Sequence, residues 1–204
     1  MTQIRAFRPY LVTPGHAGSV VSPAYDSMSP DERRGFREAH PQNYINVMRS
    51  VDDFPVGERP SADQLLKENS DQLQALLSSG AYERCNQEGL FVYQMNINGH
   101  SQTGIVTEIP VSEYQDGLVR KHEETRKDHE ARLGQYLDTV GATSSPICLA
   151  YEGSDTIDGI VNALSDSDPI LDFSLPDGVQ QRLWQVSDPS VLEALQRAFV
   201  DIEY

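Results

Sequence analysis

The stretch Leu90-Phe91-Val92-Tyr93-Gln94-Met95-Asn96-Ile97-Asn98-Gly99 decides how this chain folds. Its first eight residues are rich in aromatic and β-branched side chains, which suit a pleated, half-buried strand. Asn98-Gly99 is the strongest short hairpin signal a sequence offers. The return strand is expected over 102–109, with Gly104 a candidate bulge.

Upstream, Ser61-Ala62-Asp63-Gln64 has the capping-box spacing, and Leu65, Leu66, Leu73, Ala75, Leu76 and Leu77 form an approximate helical stripe that Gly80 stops. Ser29-Pro30-Asp31-Glu32 starts an earlier helix, with serine as cap, proline at the first helical position and a stop near His40, before Pro41. Short strands are expected over 4–7, 19–22 and 44–48. Pro23-Ala24-Tyr25-Asp26 reads as an extended entry into a turn. The segment 51–60 has two prolines and a glycine and reads as a loop, the one candidate sub-boundary in the chain.

Downstream, a helix is expected over 125–140, a buried strand over 147–151, a helix over 155–164 and a strand over 182–186. Ser187-Asp188-Pro189 launches a final helix towards Val200. Strands and helices intermingle, so the expected fold class is α/β or α+β, a mixed sheet with flanking helices. Residues 1–204 read as one mixed region. A further strand is expected beyond the last helix, so the chain is expected to be the N-terminal part of a longer protein.

With 38% hydrophobic and 23% charged residues the chain is globular in composition rather than disordered. No run approaches the roughly 20 apolar residues of a membrane span. Met1-Thr2-Gln3-Ile4-Arg5 lacks the apolar core of a secretory signal, so a cytoplasmic protein with no membrane partner is expected. Cys85 and Cys148 have no chelating spacing and are read as reduced thiols. A net charge of −15 argues against a DNA surface, which needs clustered Lys and Arg.

The basic residues are nevertheless uneven. Arg120, Lys121, Arg126, Lys127 and Arg132 place five of the sixteen within thirteen positions, where near contacts outweigh a screened distant field. Thr125-Arg126-Lys127-Asp128 matches a capping box, with Thr125 as cap and Lys121 to Glu124 as the loop entering the helix. Helix N-termini suit phosphate or carboxylate, so a small anionic ligand is the expected partner. At about 100° per residue, Arg126, His129, Leu133, Tyr136, Leu137 and Val140 share one face, apolar at its C-terminal end and basic at its mouth. If that face turns inward, a bound anion or an acidic neighbour such as Asp26 must pair the charge.

Glu123, beside Lys121 and Arg126, has the chemistry to take a proton from a hydroxyl nucleophile while the basic groups hold a phosphoryl group. If the helix starts earlier, Glu123 and Lys127 are an ordinary exposed pair. His122 and His129 are seven residues apart, about 10.5 Å along a helix, and make no metal site; none is expected elsewhere. Walker, dinucleotide and serine-elbow motifs are missing from the sequence.

These residues carry a family likeness. Over nearly its whole length the chain resembles the bacterial and archaeal domain-of-unknown-function 1015 family. The likeness runs through Pro23-Ala24-Tyr25-Asp26, Tyr44, Phe91-Val92-Tyr93 with Thr103-Gly104, and Leu183-Trp184-x-Val-Ser-Asp-Pro189, and it is most specific at Lys121-His122-Glu123-x-Thr-Arg126. That family is similar to ParB/sulfiredoxin-like proteins, some of which are free-serine kinases using a nucleotide or another phosphoryl donor. The resemblance implies Glu123 as catalytic base, with His122, Thr125 and Arg126 shaping the phosphate site; the basic cluster adds Lys121 and His129 as phosphate-binding candidates, with Tyr25 and Asp26 supporting. The resemblance also implies a nucleotide or pyrophosphate with Mg. The later Asp-Gly-His-His-Arg motif of those kinases is missing from these 204 residues and is expected in a longer protein. Three functions follow as expectations: phosphoryl transfer to a hydroxyl metabolite such as serine, a nonenzymatic nucleotide-binding regulator of ParB type, or an interaction module docking an acidic peptide.

Overall fold

The computed structural model describes residues 3–122, 124–144, 146–175, 177–200 and 202. In chain order the elements are β1 (Tyr10–Val12), α1 (Ala17–Val20), α2 (Pro30–Ala39), α3 (Ala62–Ser78), β2 (Tyr82–Arg84), β3 (Leu90–Ile97) and β4 (His100–Val106). They continue with α4 (Val111–Gln115), α5 (Lys127–Val140), α6 (Asp155–Ser165), β5 (Leu171–Ser174), β6 (Gln180–Val186) and α7 (Pro189–Phe199). The fold is mixed α/β, and among the described residues no helix is long and apolar enough to cross a membrane. The chain divides into a sheet unit (Met1–Pro9, Arg84–Glu124, Ser145–Tyr204) and a helical unit (Tyr10–Glu83, Thr125–Ser144).

The sheet unit is built on the hairpin. Asn98 (φ 50°) and Gly99 (φ 79°) both occupy the left-handed region, as a two-residue type I′ turn requires. The antiparallel sheet runs β4-β3-β6-β5, so the most apolar strand, β3, lies inside it. On one face Leu90 sits opposite Val186 and Val92 opposite Trp184. These four, with Ile4, Ile157 of α6, and Leu195 and Phe199 of α7, make the core. Trp184 places its indole N–H on the Ser167 carbonyl at 2.9 Å, which satisfies its one polar group. The N-terminal segment joins the unit through two isolated bridges, Arg5 with Glu108 and Phe7 with Gly89, and Phe7 packs edge-on against Phe91.

In the helical unit, α3 packs on α5 through Leu73, Leu76, Val140 and Val47, with Tyr44, Tyr82 and Tyr136 around them. β1 and β2 form a two-stranded sheet beside which the Thr13 amide bonds the Ala81 carbonyl. The Ser29 capping box is complete, with Pro30 in the first turn, and Ser61 accepts from the Gln64 amide.

Several expectations change. Residues 19–22 and 44–48 are not strands: Val20 closes the single turn of α1, and Asn43 caps a 3-10 turn at Tyr44–Asn46 by accepting from the Ile45 amide. Short β-branched runs fit a helical turn as readily as a strand when a side-chain acceptor precedes them. Residues 147–151 form no strand and leave Ile147 81% exposed. The segment 4–7 is reduced to the two bridges. The return strand ends at Val106, and Gly104 pairs in register with Tyr93, without a bulge. The short elements β1, β2, α4 and β5 were not expected.

Gly89 accounts for the tight entry into β3. A Cβ there would lie 2.9 Å from the Val186 carbonyl oxygen, a backbone atom that cannot move aside alone, whereas a Cβ on Gly104 meets nothing within 4 Å. Gly89→Ala should therefore cost about 1–3 kcal/mol and Gly104→Ala under about 0.5 kcal/mol in urea unfolding. Equal midpoints for the two variants would show that the close approach is not felt.

Candidate functional site

Among the described residues the most deeply held charge lies in the helical unit. Asp53 is 1% exposed, at the end of a 3-10 turn (Val51–Asp53). Its Oδ1 accepts from Arg33 Nε at 2.8 Å. Its Oδ2 accepts from Arg37 Nη1 at 3.0 Å and from the Ser50 amide at 3.0 Å, in a capping box. The Tyr25 hydroxyl donates to the same carboxylate at 3.1 Å. Four donor groups thus use the acceptor sites a carboxylate has. Arg33 also donates to the Met28 carbonyl at 2.7 Å and lies over the Tyr25 ring, 4.2 Å from its centroid.

The electrostatics follow from this geometry. Burial alone would raise the Asp53 pKa. The Ser50 amide, the Arg33 hydrogen bond and the charges of Arg33 and Arg37 outweigh it and hold the group below its ordinary value. Burial, then the Asp53 charge, pushes the Tyr25 phenol up to about 12, so it remains a donor at neutral pH. Tyr25 is thus committed to Asp53, and Asp26 is exposed on the same turn. The signal for this cluster is present in the chain: α2 has arginines at 33 and 37 as its buried residues, and a helix with a charged inner face needs a buried acid opposite. Sequence reasoning missed it because Asp53 falls in the segment read as a loop.

At the start of α5 the cap is Arg126, not Thr125, and no side chain caps the helix. Arg126 grips Asp128 through Nε–Oδ1 at 3.2 Å and Nη2–Oδ2 at 3.0 Å. Arg132 reaches the same Oδ2 at 3.0 Å, and His129 Nε2 lies 4.0 Å from it. A little lost hydration raises the Asp128 pKa. The Arg126 hydrogen bond, its own amide, His129 and Arg132 bring it below the usual carboxylate value. The side chains of Arg126, His129 and Arg132 are 71%, 57% and 55% exposed, so the expected inward basic mouth is overturned. Only Tyr136 and Val140 of that stripe turn into the core, while Leu133 is 56% exposed. The acid that pairs Arg126 is Asp128, not Asp26: at 126/128 spacing the charge is neutralised locally, so it never needs burial.

In the sheet unit, Lys121 lies 4.0 Å from Glu124 Oε2 and 5.3 Å from the Tyr114 ring centroid. His122 is exposed in a bend. Glu123, the expected base, lies outside the described residues. Among the described residues no three of His, Cys, Asp and Glu gather as a metal-holding group, and Cys85 and Cys148 are unbridged.

Residues 4–204 match the family model described as "Protein of unknown function (DUF1015)", and the chain belongs to that family. No curated protein and no solved structure matches it.

The Asp53 cluster makes a strong stability statement. Removing one partner of a buried pair strands the other, so Asp53→Ala should cost about 3–5 kcal/mol in denaturant unfolding, and Tyr25→Phe about 1 kcal/mol. Because the folded pKa of Asp53 is depressed, its contribution is present above the unfolded value near 3.9 and is lost as pH falls through the lower folded value. Asp53→Asn should flatten the acid limb of the stability curve below about pH 4. An unchanged acid limb would mean that another carboxylate dominates.

Proposed function

We propose, from the residues 121–129 and their resemblance to ParB/sulfiredoxin-like kinases, that this protein is a phosphotransferase acting on the hydroxyl of a small metabolite, an amino acid such as serine. The observation that carries the reading is the start of α5, an uncapped helix mouth where Arg126, Arg132 and His129 surround one carboxylate in open solvent. Exposed ion pairs contribute only about 0–1 kcal/mol. Asp128 is therefore a weak occupant that a doubly charged phosphate can displace, gaining the helix dipole as well. Glu123 is three residues from Arg126 in the sequence. The likeness to ParB/sulfiredoxin-like kinases supports Glu123 as the base.

In this mechanism the metabolite hydroxyl gives its proton to Glu123 as its oxygen bonds to phosphorus, and the bond from phosphorus to the donor's bridging oxygen breaks. Arg126 and His129, with Lys121, His122 and Thr125 from the entering loop, take the growing charge on the phosphoryl oxygens. The donor is a nucleotide or pyrophosphate, and Mg bound with it would shield its phosphates. The net charge of −15 disfavours the DNA-binding alternative, since few of the acidic chain's Lys and Arg can neutralise backbone phosphates.

Calorimetric titration of the chain with pyrophosphate, ADP and serine phosphate tests the binding half. Arg126→Ala should weaken the best of these by about tenfold or more, and Asp128→Asn should strengthen it by freeing both arginines. Turnover should fall about 100- to 10,000-fold in Glu123→Gln while binding persists. Silence towards all three anions would favour an interaction module. Equal turnover in Glu123→Gln would remove that residue from the chemistry.

A further inference from the structure

The sheet unit carries a second feature, unrelated to residues 121–129. Between the edge strand β4 and the helix α6 lies a cleft of about 210 Å³. It is lined by Thr103, Gly104 and Ile105 of β4, by Asp158, Val161 and Asn162 of α6, and by Tyr151. That is room for roughly seven water-sized groups, below the roughly 300–1,000 Å³ of pockets for drug-sized ligands. Whatever fits is small.

The lining has a definite chemical bias. Asp158 is its only formally charged residue, and Asp158 and Asn162 are four apart on one face of α6. Neither side chain has an ion pair or hydrogen bond to a described residue. The register adds backbone acceptors. With Ile97 and His100 closing a two-residue turn, Tyr93 and Gly104 exchange both hydrogen bonds. Thr103 and Ile105 therefore turn their N–H and C=O groups away from β3, towards the open edge. No other described strand pairs there. Thr103 Oγ1 accepts from Gln94 Nε2 at 3.1 Å and keeps its own proton to donate. Burial, then the Asp158 charge, raises the Tyr151 pKa, which keeps that phenol a donor.

We propose that this cleft binds the primary ammonium group of a small, hydroxyl-bearing amine, with Asp158, Asn162 Oδ1 and an outward carbonyl of β4 as its three acceptors. An ammonium has three donors and no acceptor, which matches one carboxylate, one amide oxygen and one carbonyl. Val161 and Ile105 cover the short carbon chain. The hydroxyl of the ligand is met by Thr103, whose own proton is left to donate. A divalent metal is a poorer fit, because one carboxylate is the only anionic ligand lining the cleft and such ions take several hard oxygen ligands. A lysine side chain of another protein would offer the same ammonium but no hydroxyl. The inference rests on the sheet unit alone and stands apart from phosphoryl transfer.

The test is an amide NMR titration of the full chain with ethanolamine, ethylene glycol and n-butylamine. Ethanolamine should shift the amides of Ile105, Val161 and Asn162 with a dissociation constant in the millimolar range or tighter. Ethylene glycol, which lacks the charge, should not bind, and n-butylamine, which lacks the hydroxyl, should bind at least about tenfold more weakly. Asp158→Asn should weaken ethanolamine by about tenfold or more. Asp155→Asn, which removes a like charge from the same helix turn outside the cleft, should leave it unchanged. Undetectable ethanolamine binding, equal binding of n-butylamine, or equal losses in the two Asp variants would each overturn the proposal. Spectra that keep the wild-type dispersion in both variants exclude misfolding as the cause.

Discussion

The helical unit depends on one carboxylate. Asp53 has lost its water and is held by Arg33, Arg37, Tyr25 and the Ser50 amide, so it ties α2, the turn at Tyr25–Ser27 and the turn at Val51–Asp53 into one body. Taking charges out of water costs several kcal/mol per ion, and mutual attraction offsets this only when nearly every donor and acceptor is used. Here the acid is fully used and Arg33 spends its extra donors on the Met28 and Tyr25 carbonyls. Such a cluster specifies geometry more than it adds stability, because any slip of α2 along the turn would strand a buried charge.

That commitment sorts the chain's positive groups. Arg33 and Arg37 are structural, and Tyr25 with them, although Tyr25 belongs to one of the sequence stretches that suggested a ligand site. Arg126, Arg132 and His129 are the opposite case, solvent-facing groups sharing a single surface acid whose hold on them is weak. The physical distinction is hydration. A buried guanidinium cannot leave its carboxylate for a passing phosphate, whereas an exposed one exchanges partners at little cost.

What could be read from residues alone was local. The hairpin at Asn98-Gly99, the Ser29 and Ser61 helix starts and the Asp188-Pro189 entry to α7 are each written within a few residues, and each appears in the structure. The failures share a cause. Residues 19–22, 44–48 and 147–151 are short apolar runs whose period cannot separate a strand from a turn or loop, and the deciding atoms, such as the Asn43 cap, lie just outside them. Asp53 was illegible because its side-chain partners are 16 to 28 residues away in the chain. At residues 121–129 the sequence marked a concentration of charge but misjudged its direction, because the Arg126–Asp128 contact neutralises the helix mouth without burial.

The division between committed and available arginines is open to direct test. The most direct measurement is an NMR titration that follows the arginine Nε–H resonances of the whole chain as pyrophosphate is added. The Arg126 and Arg132 signals should move together along one binding curve, while those of Arg33 and Arg37 stay in place with slow solvent exchange. Movement of the Arg33 or Arg37 signals, or fixed positions for Arg126 and Arg132 at saturating pyrophosphate, would contradict it.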